Sequence, residues 1–240
     1  VEEAVELRKI GFKNINVDLM SSLPMQTVES FEKNLKKVIA LQPEHISAYS
    51  LIVEEGTPFA ELYGEGGLRE EELPDEMVER EIYYQTEELL SKSGYHRYEI
   101  SNYAKPGKEC KHNLGYWERR EYLGIGIGSA SLIENIRYKN IDNIEYYMKH
   151  ADNLQKIQEE KEELSVRAQM EEVFFLGLRK MEGVSVKEFK EIFGCDVQEH
   201  YGTEINKLIN EGLLKEKDGR LMLTKKGIDI SNYVFAEFLN

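Results

Sequence analysis

The chain has 240 residues, 41% of them hydrophobic, and its 45 acidic side chains outnumber 31 basic ones to give a formal net charge of −14. That length and apolar content allow one large domain or two small ones with a buried core. The acidic balance argues against nucleic-acid binding, because a phosphate backbone rewards Lys and Arg, and no run approaches the ~20 apolar residues that cross a bilayer.

Val1 to Lys13 reads as an amphipathic helix ended by Gly11. It does not have the layout of a signal peptide, so a cytoplasmic location is the expectation. The first residue is Val and no capping residue precedes it, which predicts a chain cut from a longer protein. Asn14 to Met20 reads as a strand, Thr27 to Leu41 as a helix with Thr27 and Ser30 at its start, and His45 to Val53 as a second strand. A strand, a helix of about fifteen residues and another strand imply a parallel pair within an α/β sheet or barrel.

A Gly/Pro-rich loop is expected over Glu54 to Gly67, then an acidic and helical stretch from Glu71 to Gly94 and a short strand from Tyr95 to Ile100. Asn102 to Trp117 reads as irregular, Tyr122 to Leu132 as a glycine-rich strand and turn, and Ile141 to His150 as a helix. Residues 151–163 are charge-rich and read as a solvated linker or helix face. They mark a boundary between a domain at 1–150 and another at 151–240. Helices at Val166 to Lys180, Val186 to Phe193 and Val197 to Glu211 precede two strands joined by Asp218-Gly219, a hairpin turn, and Thr224 caps a last helix. Helices followed by a hairpin predict a winged-helix-like domain. Its candidate recognition helix carries Glu199, Glu204 and Glu211 against Lys207, the wrong balance for a major groove.

The first strand alternates Ile15, Val17 and Leu19 with Asn14, Asn16 and Asp18. A parallel strand under helices is ordinarily apolar on both faces, so the polar face needs a partner. Asp18, placed towards the strand's C-terminal end, has two readings: a ligand contact, as at the mouth of a barrel, or a brace for the next loop. The second strand sets Ile46, Ala48, Ser50 and Ile52 on one small, mostly apolar face, suited to an adenine or to a packed core. His45, at its start, reads as structural. Cys110-Lys111-His112-Asn113-Leu114-Gly115-Tyr116-Trp117 gathers one of two cysteines, one of five histidines and the only tryptophan. His is a haem-ligand type and aromatics pack on a macrocycle, while a loop pinned by aromatic packing is the alternative. Gly124-Ile125-Gly126-Ile127-Gly128 is not a dinucleotide fingerprint; alternating glycines allow close approach by a ligand or a neighbouring strand. Cys110 and Cys195 are too few for a disulfide framework or for the roughly four ligands of an iron–sulfur cluster.

Four segments resemble, in order, the oxygen-independent coproporphyrinogen III oxidase-like family of radical-SAM proteins: Asn16 to Thr27 (NVDLMSSLPMQT), His45 to Leu51 with its Glu-x-Gly-Thr-Pro tail, Tyr98 to Ala104 (YEISNYA) and Tyr122 to Gly126. The resemblance covers nearly the whole chain. It implies the C-terminal part of an incomplete parallel (β/α) barrel followed by a small winged-helix-like accessory domain. Cys-Lys-His-Asn-x-x-Tyr-Trp is similar to the motif of the HemW-type haem-chaperone branch, which makes His112 the haem-ligand candidate and haem or a porphyrin, with a haem-accepting protein, the expected partners. A coproporphyrinogen III oxidase is the alternative. The family positions matching Asp18, Ile52 and Ala130 imply contacts to S-adenosylmethionine. The family's [4Fe–4S] cluster sits on a Cys-x-x-x-Cys-x-x-Cys run that this sequence does not contain, so no radical-SAM cleavage is expected of these 240 residues alone. An open strand edge at 14–20 predicts pairing with a neighbour, including a homodimer. Ser21-Ser22 stands where the family has Tyr-Gly.

Overall fold

A computed structural model describes residues 2–239; Val1, expected to open the first helix, lies outside the described residues. Two compact units result, Val1–Cys110 and Lys111–Asn240.

In the first unit, α1 (Glu2–Ile10) ends where Gly11 takes φ +110°. β1 (Asn16–Ser21) leads to α2 (Val28–Ala40), whose N-terminus is closed by a capping box between Thr27 and Ser30. Each side chain accepts from the other's backbone N–H, satisfying donors that the helix leaves orphaned. Thr27→Ala should lower the stability of this unit by about 1 kcal/mol, read as a shift in the urea midpoint with unchanged slope; an unshifted midpoint would show the cap to be idle.

β2 (His45–Ser50) pairs with β1 in parallel, as the strand–helix–strand order predicts. The expected long loop contains a short helix, α3 (Pro58–Tyr63), and α4 (Glu76–Lys92) follows. β3 (His96–Arg97) and β4 (Asn102–Ala104) then form an antiparallel hairpin that joins β2. The sheet order is β1-β2-β4-β3, so β1 is an edge strand and no closed barrel forms among the described residues. Phe31, Leu35 and Val38 of α2, Ile82 and Leu90 of α4, and Ile46, Tyr95 and Tyr103 make the core, with Val17, Leu19 and Ala48 packed against it. Of the two roles that the sequence allows Ile46 and Ala48, adenine contact or core, the packing selects the core.

In the second unit α5 (Lys111–Trp117) precedes a three-stranded antiparallel sheet of β5 (Ala130–Ile133), β6 (Ile136–Asn140) and β7 (Gln158–Glu163). Between β6 and β7 lie α6 (Ile144–His150) and α7 (Leu154–Ile157). The linker expected at 151–163 is therefore corrected: its last six residues are a strand. Cross-strand charge explains why so acidic a segment pairs. Arg137 faces Glu162 and Lys139 faces Glu159, and Lys139 Nζ also lies 2.9 Å from Glu160; opposite charges across strands favour pairing. Because β6 and β7 straddle residue 150, compactness divides the chain at Cys110 and Lys111 rather than after 150.

The winged-helix arrangement follows as predicted: α8 (Val166–Gly177), β8 (Val184–Ser185), α9 (Val186–Phe193), α10 (Val197–Asn210), β9 (Leu214–Lys217), β10 (Arg220–Leu223), α11 (Lys225–Asp229) and α12 (Ser231–Ala236). Asp218 and Gly219 both take positive φ, +53° and +72°, as a two-residue hairpin turn requires. The short strand β8 has no signal in the sequence pattern. It fits against β10 because Gly183 has no Cβ, an atom that would stand 2.0 Å from the Leu221 carbonyl oxygen.

Candidate functional site

In the first unit the alternation along β1 sends Val17 and Leu19 to the core and leaves Asn16 and Asp18 exposed on the other face. Register then decides their neighbours. Asn16 lies beside His45, Asp18 beside Ser47, and Ser47 opposite Asn102 of β4. Residues paired across strands share a face, so these five polar side chains form one row. Asp18, expected towards the strand's C-terminal end, is the third of its six residues, three before the end at Ser21.

The row is joined by hydrogen bonds. Asn16 Nδ2 donates to Asp18 Oδ1 at 2.6 Å. Asn16 Oδ1 lies 2.7 Å from His45 Nδ1, and Ser47 Oγ donates to that same oxygen at 3.4 Å. Burial pushes the His45 imidazole down from its usual pKa, against the opposing charges of Asp18 and Glu109, so the ring is neutral near pH 7. Asn102 is 3% exposed, yet its Oδ1 has no hydrogen-bond partner among the described residues. Leaving such an acceptor unpaired costs about 1–3 kcal/mol. An exposed carboxylate and a waiting amide oxygen on one face suit a ligand rich in hydroxyl and ammonium donors, as S-adenosylmethionine is.

Ile52 follows β2 and is 75% exposed. It lies two residues beyond the end of β2, outside the sheet that holds Asp18. The loop between β1 and α2 explains the departure at Ser21-Ser22. Ser22 takes φ +61°, the left-handed region that favours the glycine of the family. Its buried hydroxyl sits 2.9 Å from Ser50 Oγ, a bond that glycine does not make and that ties the loop to the end of β2.

His112 and Ala130 belong to the second unit. The irregular reading of 102–117 is corrected here: His112 stands on α5, exposed, and the four-residue spacing to Tyr116 puts both rings on one helical face. The two rings meet edge-on at 4.8 Å, and Tyr116 meets Tyr122 edge-on at 4.8 Å. Tyr122 bridges to Leu132 of β5, so a three-ring ladder fixes α5 against the sheet. Trp117, next to Tyr116, lies under the Arg179 guanidinium at 4.4 Å. Packing therefore holds the segment, while the His112 imidazole remains accessible. An exposed, ring-braced histidine has the donor chemistry of a haem axial ligand.

Ala130 opens β5 and is exposed. The preceding glycine loop is pinned by Asn140, whose Nδ2 donates to the Gly126 carbonyl at 2.9 Å, and by Ser131, whose Oγ accepts from Gly124 N–H at 3.0 Å. A Cβ on Gly124 would meet the Ala130 carbonyl oxygen at 2.3 Å, so the glycine is what lets the loop close on the strand. The loop shows Leu123 and Ile125 to solvent.

Cys110 and Cys195 lie in different units and are both free. Among the described residues no group of three or more His, Cys, Asp or Glu could hold a metal ion, so these residues do not fit a [4Fe–4S] cluster. Nor is any described helix long and apolar enough to cross a membrane.

Comparisons with known proteins accord with this arrangement. Residues 164–230 match the HemN C-terminal domain family. The chain is 42% identical to the heme chaperone HemW of Lactococcus lactis over all of its length and 62% of that protein. It is 38% identical to the heme chaperone HemW of Bacillus subtilis, over 97% of the chain and 60% of the relative. The chain thus spans about three fifths of these relatives. The solved structure of coproporphyrinogen III oxidase (HemN) from Escherichia coli, described as a radical SAM enzyme, matches with a TM-score of 0.78 over 98% of this chain and 57% of that one, at 20% identity.

Proposed function

We propose that the chain is a radical-SAM, coproporphyrinogen III oxidase-like protein that serves as a HemW-type haem chaperone, with His112 as a ligand to haem iron; the 42% identity to a heme chaperone HemW and the HemN C-terminal domain match at 164–230 support this reading. The carrying observation is the exposed His112 of α5, held edge-on by Tyr116, in a chain whose whole length matches proteins named heme chaperones. Haem, when bound, would supply an iron centre that the His112 imidazole would hold through a ring nitrogen. What this chain contributes is orientation: the Tyr116–Tyr122 ladder restricts the imidazole and keeps it at the surface, where haem can be received and passed to an accepting protein. Hemin titration should give a shifted Soret band with wild-type protein, and His112→Ala should lose that shift and weaken binding by about tenfold or more. Identical spectra for the two would remove His112 from the site.

The polar row of the first unit is assigned to S-adenosylmethionine, Asp18 accepting from its hydroxyl or ammonium groups and Asn102 Oδ1 awaiting a donor, with Ile52 among its apolar surroundings; Ala130, in the second unit, is carried as an S-adenosylmethionine position by the family resemblance alone. A cytoplasmic site of action suits this chemistry. Within the second compact unit we place the start of the accessory domain after residue 150, supported by the domain match that begins at 164, and we assign the unpaired edge of β1 to pairing with a further strand. The fold likeness to the oxidase HemN leaves coproporphyrinogen oxidation as the second reading, to be tested by product analysis.

A further inference from the structure

His45 is 6% exposed and bonded through both ring nitrogens: Nδ1 lies 2.7 Å from Asn16 Oδ1, and Nε2 lies 2.8 Å from the Tyr98 hydroxyl. One arrangement of protons satisfies every neutral group in the chain. The Asp18 carboxylate only accepts, so Asn16 must turn its NH2 towards it. The Asn16 amide oxygen then only accepts, so Nδ1 of His45 carries the hydrogen. Nε2 is left with its lone pair and receives the Tyr98 hydroxyl proton, while the Tyr98 oxygen accepts from Cys110 N–H at 3.3 Å. Donation therefore runs one way, from Cys110 through Tyr98, His45 and Asn16 to Asp18.

An asparagine amide has nearly the same shape either way round. The carboxylate selects the NH2, and a donor on the amide oxygen at the other end keeps it there. We propose that His45 is a positioning residue: as the Nδ1–H tautomer it locks the Asn16 amide, which holds one oxygen of Asp18 and leaves the other aimed at a ligand donor. The role rests on the reading of Asp18 as a contact to S-adenosylmethionine. Burial supports it by keeping the His45 ring neutral and pushing the Tyr98 phenol upward, so that each stays in the form the chain of donors requires.

The test uses the 240-residue chain, with calorimetric titration of S-adenosylmethionine and 1H–15N spectra of the ligand-free protein. His45→Asn returns an N–H near the Nδ1 position, whereas His45→Gln places its polar group near Nε2 and His45→Phe has none. His45→Asn should bind within about threefold of wild type, and the other two should weaken binding by about tenfold. Their Asn16 side-chain NH2 signals should move to solvent-exposed values, while those of His45→Asn stay in place. A residue that only fills space would instead scale with thermal stability and show no rescue by asparagine. Folded His45→Phe that binds as wild type with unmoved Asn16 signals would overturn the proposal. Absent binding to the wild type, or an unaffected Asp18→Asn variant, would overturn the reading of Asp18 instead. The ligand-free spectra would then decide the relay by themselves, unmoved signals in His45→Phe overturning it.

Discussion

Replacing Glu172 by alanine is expected to destabilise the second unit by about 3 kcal/mol, lowering its melting temperature on the order of 10 °C. Glu172 is 4% exposed in the middle of α8. Its two carboxylate oxygens are taken by different arginines: Arg119 Nε at 2.6 Å and Arg137 Nη2 at 2.5 Å. Arg119 also donates to Asn135 Oδ1 at 2.9 Å. The triad joins the segment after α5, the strand β6 and the helix α8, beside the β6–β7 pairing that groups residues 111–150 with the C-terminal chain. Removing the acid strands two guanidinium groups, one of them nearly buried. The cost falls at the low end of the range for broken buried pairs because Arg137 is 39% exposed in its side chain and can turn to water. Differential scanning calorimetry would show it. Replacing the three residues together by leucine and methionine should recover most of the loss, since an apolar isostere avoids the desolvation of charge. A Glu172→Ala protein that melts with wild type would show the triad to be energetically idle.

Phe174→Ala is expected to cost the same unit about 4 kcal/mol, enough to leave it largely unfolded in mild urea. Phe174 is fully buried two residues further along α8. It stacks on Phe238 at 4.2 Å with the rings 1° from parallel, and meets Tyr201 edge-on at 4.8 Å and Phe189 at 5.7 Å. One ring thus ties α9 and α10 to the residues after α12. Alanine would empty the centre of a rigid cluster whose members come from three helices and the segment after α12, so collapse cannot refill the space. Phe174→Leu should cost less than half as much, because most of the volume returns. The urea midpoint of the second unit measures both. Equal losses for the two variants would mean that ring stacking, not volume, carries the cluster.

These two residues of α8 differ in how far the amino-acid pattern alone reveals them. Phe174 falls on the apolar stripe of a helix that the spacing predicts, so its burial is legible there. Glu172 on the same helix looks like an ordinary solvent-facing acid until β6 and the residues after α5 are placed beside it. His45 shows the same limit at the site. As a lone histidine opening a strand it reads as structural and remote. Yet parity along two strands could have found it, since Asn16 and Asp18 share one face of β1 and His45 and Ser47 share one face of β2. Only the pairing of Asn16 with His45 was missing. His112 is identified by its motif as a candidate, but α5 reads as irregular because seven residues are too few to show a helical period.

The sequence by itself determined the features that arise within a few residues of each other. These are the Thr27–Ser30 cap, the Asp218-Gly219 turn, the amphipathic stripes of α2 and α10, and the parallel sense of β1 and β2, set by the helix between them. Each follows from local geometry, in which backbone conformation and side-chain spacing leave few choices. Only the tertiary structure decided that Gln158–Glu163 is a strand, that the compact units part at Cys110, that Glu172 is buried between two arginines, and that His45 stands behind Asp18. Those outcomes turn on strand register and on polar groups brought together across 29 to 53 positions of chain. No local propensity encodes such pairings, because their energy exists only once the remote partner has removed both groups from water.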